Sequence, residues 1–134
     1  MKCGQSILQI LVVDDEPLVC DAVRMLLNFD GHSVDTVGNA REALAVYNPD
    51  KYDLVMLDYE MPGMKGDELA VTIKKQAPQQ PILLLTAHGD VLRASGKPIP
   101  GIDLIVDKPF RLDTLRAGIQ TTVGSATVGS NACK

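Results

Sequence analysis

Short apolar runs alternate with helical patterns along this chain, and that alternation limits the possible folds more than any other feature of the sequence. The runs are ILQILVVDD, HSVDTVG, YDLVMLD, PILLLTA and IDLIVDK. Nearly continuous apolar runs of this length are typical of strands that are buried on both faces of a parallel sheet. Strands that alternate with helices favour an α/β fold with right-handed crossovers and helices on both faces of the sheet. We therefore expect one doubly wound, five-stranded parallel sheet, with the weakest run, HSVDTVG, at an edge.

The intervening segments carry helix start and stop signals. Pro17 predicts the start of the first helix, and Asn39 with Glu42 predicts a capping box for a helix that continues through Val46. The third helix is expected over residues 66–76 and the last over residues 111–123. The side chains expected to face the core are Leu18, Val19, Ala22, Val23 and Leu26 in the first helix, Leu69, Ala70 and Ile73 in the third, and Leu112, Leu115 and Ile119 in the last.

The fourth helix is predicted to be short or irregular. Its pattern covers only residues 90–95, before Gly96, Pro98, Pro100 and Gly101 interrupt it. At 134 residues the chain is long enough for one domain. We assign residues 1–123 to that domain and residues 124–134, which are small and polar, to a flexible tail.

Charge and composition exclude several classes of function. The net charge is −4 and no basic run occurs, which disfavours direct binding to nucleic acid. The three cysteines, Cys3, Cys20 and Cys133, are far apart and fit neither a disulfide framework nor a zinc site. No segment approaches the ~20 apolar residues of a membrane span. We expect a cytoplasmic protein that does not contact membranes.

Polar residues follow four of the five apolar runs, at the point where each strand should end. They are Asp14 and Asp15, Asp58, Thr86 and Lys108. Each alone has an ordinary explanation, such as a helix cap for Thr86 or a solvated turn for Lys108. Together they are expected to meet, because the carboxyl ends of parallel strands lie at one edge of the sheet, where ligands of such folds bind.

Three carboxylates in one place repel each other, and a hard divalent cation such as Mg²⁺ relieves that repulsion. A cation, a lysine and a hydroxyl together could neutralise a phosphoryl group during transfer. A carboxylate such as Asp58 could then act as the nucleophile and become an acyl phosphate. Gly63 and Gly66 would let the backbone of the following loop approach the site.

Four motifs, VVDDEP, LDYEMPGMKG, LLTA and DKPF, occur in this order over about residues 7–123. In this respect the chain resembles the receiver domains of two-component response regulators, the CheY-like superfamily. The resemblance implies a sheet of strand order 2-1-3-4-5 with five helices. It also implies a phosphorelay switch without further enzymatic activity, which receives a phosphoryl group from a sensor histidine kinase or histidine phosphotransfer protein and then binds a downstream protein. We expect the domain to stand alone.

The resemblance also implies roles for individual residues. Asp58 would be the phosphoacceptor, and Asp15 and Asp58 would bind Mg²⁺ together with the backbone carbonyl of Glu60. Asp14 would act largely through water. Lys108, whose bond to Pro109 is expected to be cis, would pair with the phosphoryl group, and the hydroxyl of Thr86 would swing to donate to it.

The sequence departs from the family pattern at several positions. Ile105 stands where the family has a switch aromatic, so we expect switching to depend more on Thr86 and its loop. The short fourth helix predicts unusual partner contacts. Glu60 and His88 occupy the two variable positions that tune the lifetime of the acyl phosphate in the family.

Two other functions fit parts of the pattern. One is a receiver-like interaction module that is never phosphorylated, which Ile105 and the irregular fourth helix favour. The other is a phosphohydrolase with an aspartate nucleophile, but such enzymes need a second aspartate where this chain has Glu60.

Overall fold

The computed structural model describes residues 7–61, 63–96 and 99–127. Cys3, Pro98, Cys133 and the chain beyond residue 127, about which the sequence analysis makes predictions, lie outside these ranges. The strands are β1 (Gln9–Val13), β2 (Ser33–Val37), β3 (Leu54–Asp58), β4 (Ile82–Thr86) and β5 (Leu104–Asp107). The helices are α1 (Pro17–Phe29), α2 (Ala40–Val46), α3 (Gly66–Gln76), α4 (Gly89–Ala94) and α5 (Leu112–Thr127).

All strand pairs of the sheet are parallel, and the strand order is β2-β1-β3-β4-β5. The predicted fold class and order are confirmed. The three inner strands are almost wholly buried, whereas the edge strands β2 and β5 are partly exposed. This gradient explains why the inner strands read as continuous apolar runs and HSVDTVG does not.

Each inner strand sends alternate side chains into two separate apolar layers. On one face, Leu11 and Leu57 pack with residues of α2 and α3. On the other face, Val12 and Met56 pack with residues of α1 and α5. The sheet is therefore doubly wound, and its inner strands are buried on both faces except at Gln9, the first residue of β1.

The buried face of α1 differs from the predicted one. Its buried residues are Cys20, Val23 and Leu27, whereas Leu18 is 82% exposed and Ala22 is also exposed. The prediction is right for Val23 but wrong for Leu18 and Ala22. Helix α1 carries two apolar stripes, and helical periodicity does not tell which of them faces the sheet.

The other helices follow the predictions more closely. Leu69, Ala70 and Ile73 of α3 are fully buried, as expected. The side chain of Asn39 accepts a hydrogen bond from the Glu42 N–H, so the predicted cap of α2 is present. Glu42, however, accepts from the N–H of Gly38 and not of Asn39, so the second half of the capping box is displaced by one residue.

The last two helices differ in length. Helix α4 has six residues, which confirms a short fourth helix. Helix α5 continues to Thr127, four residues beyond the predicted end at Val123. In the part of the chain that is described, no helix is both long and apolar enough to cross a membrane.

Candidate functional site

Backbone hydrogen bonds continue the pairing of the strands for one residue beyond β1 and β5, so that polar residues lie at one edge of the sheet. Asp14 N–H donates to the Val37 carbonyl (3.1 Å), and Lys108 N–H donates to the Thr86 carbonyl (2.8 Å). Asp58 is the last residue of β3 and is in register with Leu85 of β4. The strand ends therefore converge as the sequence analysis predicts, because the strands are parallel and end at similar heights.

Lys108 forms the centre of the polar network at this edge. Its Nζ donates to Asp14 Oδ2 at 2.9 Å and to Asp58 Oδ1 at 3.0 Å. The other oxygen of Asp14, Oδ1, accepts from the backbone N–H of Glu16 at 2.9 Å. Asp14 and Asp58 are 1% and 7% exposed. One partly buried ammonium group thus holds two buried carboxylates at the ends of two neighbouring strands.

Burial dominates the electrostatics of this network. It raises the pKa of Asp58 to about 6; the hydrogen bond from Lys108 works in the opposite direction, and the charge of Asp14 adds to the increase. Burial alone would lower the pKa of Lys108, but its hydrogen bonds to Asp14 and Asp58 outweigh burial and leave that pKa raised. Lys108 is therefore a fixed cation at neutral pH, and Asp58 is a carboxylate of raised basicity.

Asp14, Asp15 and Asp58, which we call the acidic cluster, have a geometry that suits a divalent cation. One carboxylate oxygen from each residue lies within 4.8 Å of the others. Three hard, anionic oxygen donors are the ligands that Mg²⁺ prefers. Asp15 is the exposed member of the cluster, so the site is open to solvent on that side.

The loop after β3 packs tightly against the phosphoacceptor candidate. A Cβ atom at Gly66 would lie 2.4 Å from the carbonyl oxygen of Asp58 and 3.0 Å from Cα of Tyr59. The N–H of Gly66 donates to the Tyr59 carbonyl (3.0 Å). Gly63 has φ +80°, a value that favours glycine. The predicted close backbone approach is present at Gly66. At Gly63 a Cβ atom would have open space around it, and only the positive φ favours glycine there.

Thr86 lies at the same edge, but its hydroxyl is engaged with its own loop. The residue is 1% exposed, and its Oγ1 accepts from the His88 N–H at 2.9 Å. A change of this hydrogen bond would alter the loop that leads into α4.

Glu60 and His88, the two variable positions, lie together. The Nε2 of His88 is 3.3 Å from Glu60 Oε2, and both side chains are more than half exposed. The pair joins the loop after β3 to the loop after β4. Nothing in the spacing of the two residues along the sequence indicates this contact.

The structure also shows contacts of Ile105 and Asp107 that the sequence does not predict. Ile105 is partly buried and packs against the apolar layer formed with α2 and α3. Its carbonyl accepts from Arg93 of α4, which also binds Asp107. Asp107 belongs to the DKPF motif, yet the sequence offers no signal that Arg93 is its partner. The Lys108–Pro109 peptide bond is cis, as expected.

Comparison with known proteins gives a consistent answer. The family model "Response regulator receiver domain" matches residues 10–120. The transcriptional regulatory protein TcrA of Mycobacterium tuberculosis is 39% identical over 119 residues, which are 88% of this chain and 47% of TcrA. The two-component response regulator PhoP of Pseudomonas aeruginosa is 36% identical over 110 residues, 82% of this chain and 49% of PhoP. The chain thus spans about half the length of these curated relatives.

Solved structures agree with the sequence comparisons. A response regulator receiver domain protein of Clostridium thermocellum superposes with a TM-score of 0.81 at 30% identity, covering 90% of this chain and 97% of that one. The response regulator TrrA of Thermotoga maritima, in complex with Mg²⁺ and BeF, has a TM-score of 0.75 at 36% identity and covers 91% and 99% of the two chains. The chain therefore belongs to the response regulator receiver domains, the phosphoaccepting signalling switches of two-component systems.

Proposed function

We propose that this domain takes up a phosphoryl group on Asp58 and that the acyl phosphate changes its affinity for a partner protein. The observation that carries the proposal is the network in which Lys108 binds Asp14 at 2.9 Å and Asp58 at 3.0 Å inside the acidic cluster. A carboxylate oxygen of Asp58 would attack the phosphorus of a phosphohistidine. The P–N bond would break, the imidazole would leave with the electron pair of that bond, and an acyl phosphate would remain.

The residues around Asp58 fit the charge that this reaction moves. Asp15, Asp58 and the backbone carbonyl of Glu60 would hold Mg²⁺, with Asp14 acting largely through water, and the ion would neutralise phosphoryl oxygens. Lys108, which pairs with Asp58 before transfer, would turn its ammonium group to the new phosphoryl oxygens. Thr86, whose Oγ1 accepts from the His88 N–H, would swing so that its hydroxyl donates to the phosphoryl group.

A protein donor also fits the surface beside the site. Helix α1 starts two residues after Asp15 and exposes an apolar stripe of Leu18, Met25 and Phe29, which are 82%, 70% and 81% exposed. Residues at this spacing lie on one side of a helix. A neighbouring apolar surface would hold a donor protein with its phosphohistidine above Asp58. We propose a sensor histidine kinase or a histidine phosphotransfer protein as the donor, and a second protein, not nucleic acid, as the target.

Mass spectrometry of the intact protein tests the phosphoacceptor. With Mg²⁺ and a small-molecule phosphodonor such as acetyl phosphate, the protein should gain the mass of one phosphoryl group. Asp58→Asn should abolish the gain, and Thr72→Ala, which removes a hydroxyl that donates to the Glu68 carbonyl of its own helix, should keep it. No gain in the wild-type protein would reject the proposal in favour of an interaction module that is never phosphorylated.

The donor surface needs a separate test. Leu18→Ser should slow phosphoryl transfer from a phosphohistidine protein but leave uptake from acetyl phosphate unchanged, because only the protein donor contacts α1. Val91→Ser, at a position of similar exposure on α4 (69%), serves as the control. Equal transfer rates in both variants would contradict the proposed docking surface without affecting the role of Asp58.

The phosphohydrolase alternative has less support. The carboxylate of Glu60, at the position where such enzymes carry an aspartate, is paired with His88 and more than half exposed. We propose that the domain catalyses only its own phosphorylation and dephosphorylation. Sustained hydrolysis of a small phosphate ester, at rates beyond the turnover of the Asp58 acyl phosphate, would contradict this.

A further inference from the structure

The guanidinium group of Arg93 ties the short helix α4 to β5. Its Nη1 donates to both carboxylate oxygens of Asp107 at 3.1 Å, and its Nη2 donates to the carbonyl of Ile105 at 3.1 Å. One side chain thus binds two residues of the strand that leads to Lys108. We call this arrangement, together with Gly89, the Arg93 clasp.

Gly89 allows the carboxylate of Asp107 to lie directly against the start of α4. A Cβ atom at Gly89 would be 1.8 Å from Asp107 Oδ1 and 3.0 Å from Arg93 Nη1. No other amino acid could occupy this position unless the Asp107 side chain moved. The contact makes the position of residue 89 sensitive to the state of the clasp.

The clasp adjoins two residues of the phosphorylation site. Asp107 is the register partner of Thr86 in the sheet, and it directly precedes Lys108. The loop between Thr86 and Gly89 is only two residues long, and within it the His88 N–H donates to the hydroxyl oxygen of Thr86 at 2.9 Å. A shift of Thr86 is therefore transmitted to Gly89 over a very short path.

Helix α4 is short and partly exposed. Helix α4 has six residues, a length at which a helix is not stable without tertiary contacts. Val91 is 69% exposed, and of the large apolar side chains of α4, Leu92 packs against the core. The Arg93 clasp and Leu92 both attach this helix to the rest of the domain.

We propose that Arg93 and Asp107 are positioning residues that hold the loop before α4, and with it Thr86, in an arrangement that disfavours a bound phosphoryl group. The inference rests on the proposed function of Asp58. If Thr86 swings toward a phosphoryl group on Asp58, its Oγ1, which accepts from the His88 N–H, moves with it, and the loop up to Gly89 must follow. Since Gly89 fits against Asp107 without room for a methyl group, that movement costs contacts of the clasp.

The clasp thereby connects the site to the surface formed by α4 and β5. In the family pattern an aromatic side chain stands at the position of Ile105, and the clasp takes over its role. A phosphoryl group that binds more tightly to the arrangement with the open clasp shifts the population toward it. Breaking the clasp by mutation removes contacts that favour the closed arrangement, so a phosphoryl group or its mimic should bind more tightly.

Calorimetric titration with beryllofluoride at saturating Mg²⁺ tests this coupling. Arg93→Ala should bind beryllofluoride about two- to fivefold more tightly than the wild-type protein, the range expected for an exposed ion pair. The affinity of Arg93→Lys for beryllofluoride should lie between those of Arg93→Ala and the wild-type protein. Lysine keeps the positive charge but lacks the planar guanidinium group that binds Asp107 and Ile105 together. The direction of the change in affinity is diagnostic, since the removal of a cation near an anionic ligand would by itself weaken binding.

Arg24→Ala is the matched control. Arg24 is 43% exposed and pairs with Asp21 on α1, much as Arg93, 46% exposed, pairs with Asp107. The control should bind beryllofluoride like the wild-type protein. Hydrogen exchange of the amides of residues 89–96 should accelerate in Arg93→Ala and not in Arg24→Ala.

The outcomes separate this inference from the proposed function. Unchanged or weaker binding of beryllofluoride by Arg93→Ala would overturn the role of the clasp, provided that the wild-type protein binds it. If the wild-type protein neither binds beryllofluoride nor gains a phosphoryl group, the proposed function itself fails. Tighter binding with faster exchange in α4 supports both.

Discussion

The two halves of the functional edge of the sheet are built in contrasting ways. At β1 and β3, Asp14 and Asp58 are buried, and Lys108 holds both carboxylates. At β4 and β5, the Arg93–Asp107 pair is about half exposed and holds a helix of six residues. Buried charges are strongly coupled, whereas exposed pairs contribute little to stability. The half that would carry out chemistry is therefore rigid, and the half next to the α4–β5 surface is held weakly enough to move.

The largest difference between the halves should appear when a cation is removed from each. Lys108→Ala leaves two buried carboxylates without their partner and should lower the free energy of unfolding at pH 7, without Mg²⁺, by about 2–4 kcal/mol. Arg93→Ala should lower it by less than about 1 kcal/mol. Urea denaturation in the presence of a chelator measures both values. Equal losses of unfolding free energy in the two variants would contradict the contrast between the buried and the exposed half.

Two glycines probe the same contrast through packing. Gly66→Ala places a methyl group 2.4 Å from the backbone oxygen of Asp58, whereas Gly89→Ala overlaps the end of the Asp107 side chain, which can rotate away. We expect Gly66→Ala to cost about 2–3 kcal/mol of stability and Gly89→Ala about 1 kcal/mol, by the usual range for overpacking. Gly124→Ala, with open space around the new methyl group, is the control and should not destabilise. A larger cost at Gly89 than at Gly66 would show that the α4 half is the more rigid one.

The pH dependence of stability tests the raised pKa of Asp58 in the buried half of the edge. Burial raises the pKa of Asp58 to about 6 from the ordinary value of 3.8. Because the folded-state pKa is the higher one, the stability linked to this proton is fully present below the unfolded value and is lost as pH rises through about 6. The gain in stability of Asp58→Asn over the wild-type protein should therefore grow by about 1–3 kcal/mol between pH 4 and pH 7 without Mg²⁺. Denaturation curves at several pH values measure it, and a gain that does not depend on pH would contradict the raised pKa.

The smallest effect concerns the pair that joins the two halves. Glu60→Asn removes the contact of 3.3 Å with His88 and should change the lifetime of the acyl phosphate by about two- to fivefold, the range for an exposed pair. Loss of the phosphoryl mass over time provides the rate. His88→Asn should give a change of the same sign, and an unchanged lifetime in Glu60→Asn would reject a tuning role for this residue.

Helix α1 shows where prediction from the sequence reached its limit. The chain offers two apolar stripes on this helix, and only packing against the sheet selects the one with Val23 and Leu27. The exposed stripe with Leu18 and Phe29 was not foreseen. The cap of α2 shows a smaller limit of the same kind, because Glu42 had two backbone N–H groups within reach and binds that of Gly38.

Sequence patterns alone were enough to predict the alternation of strands and helices, the doubly wound sheet and the convergence of Asp14, Asp58 and Lys108. These features depend on local apolar patterns and on the rule that parallel strands end at one edge. The Glu60–His88 pair and the Arg93 clasp, in contrast, became visible only in the folded chain. Such contacts join exposed polar side chains on separate loops and elements, and no periodicity records them because their geometry depends on how the whole sheet twists and how α4 packs.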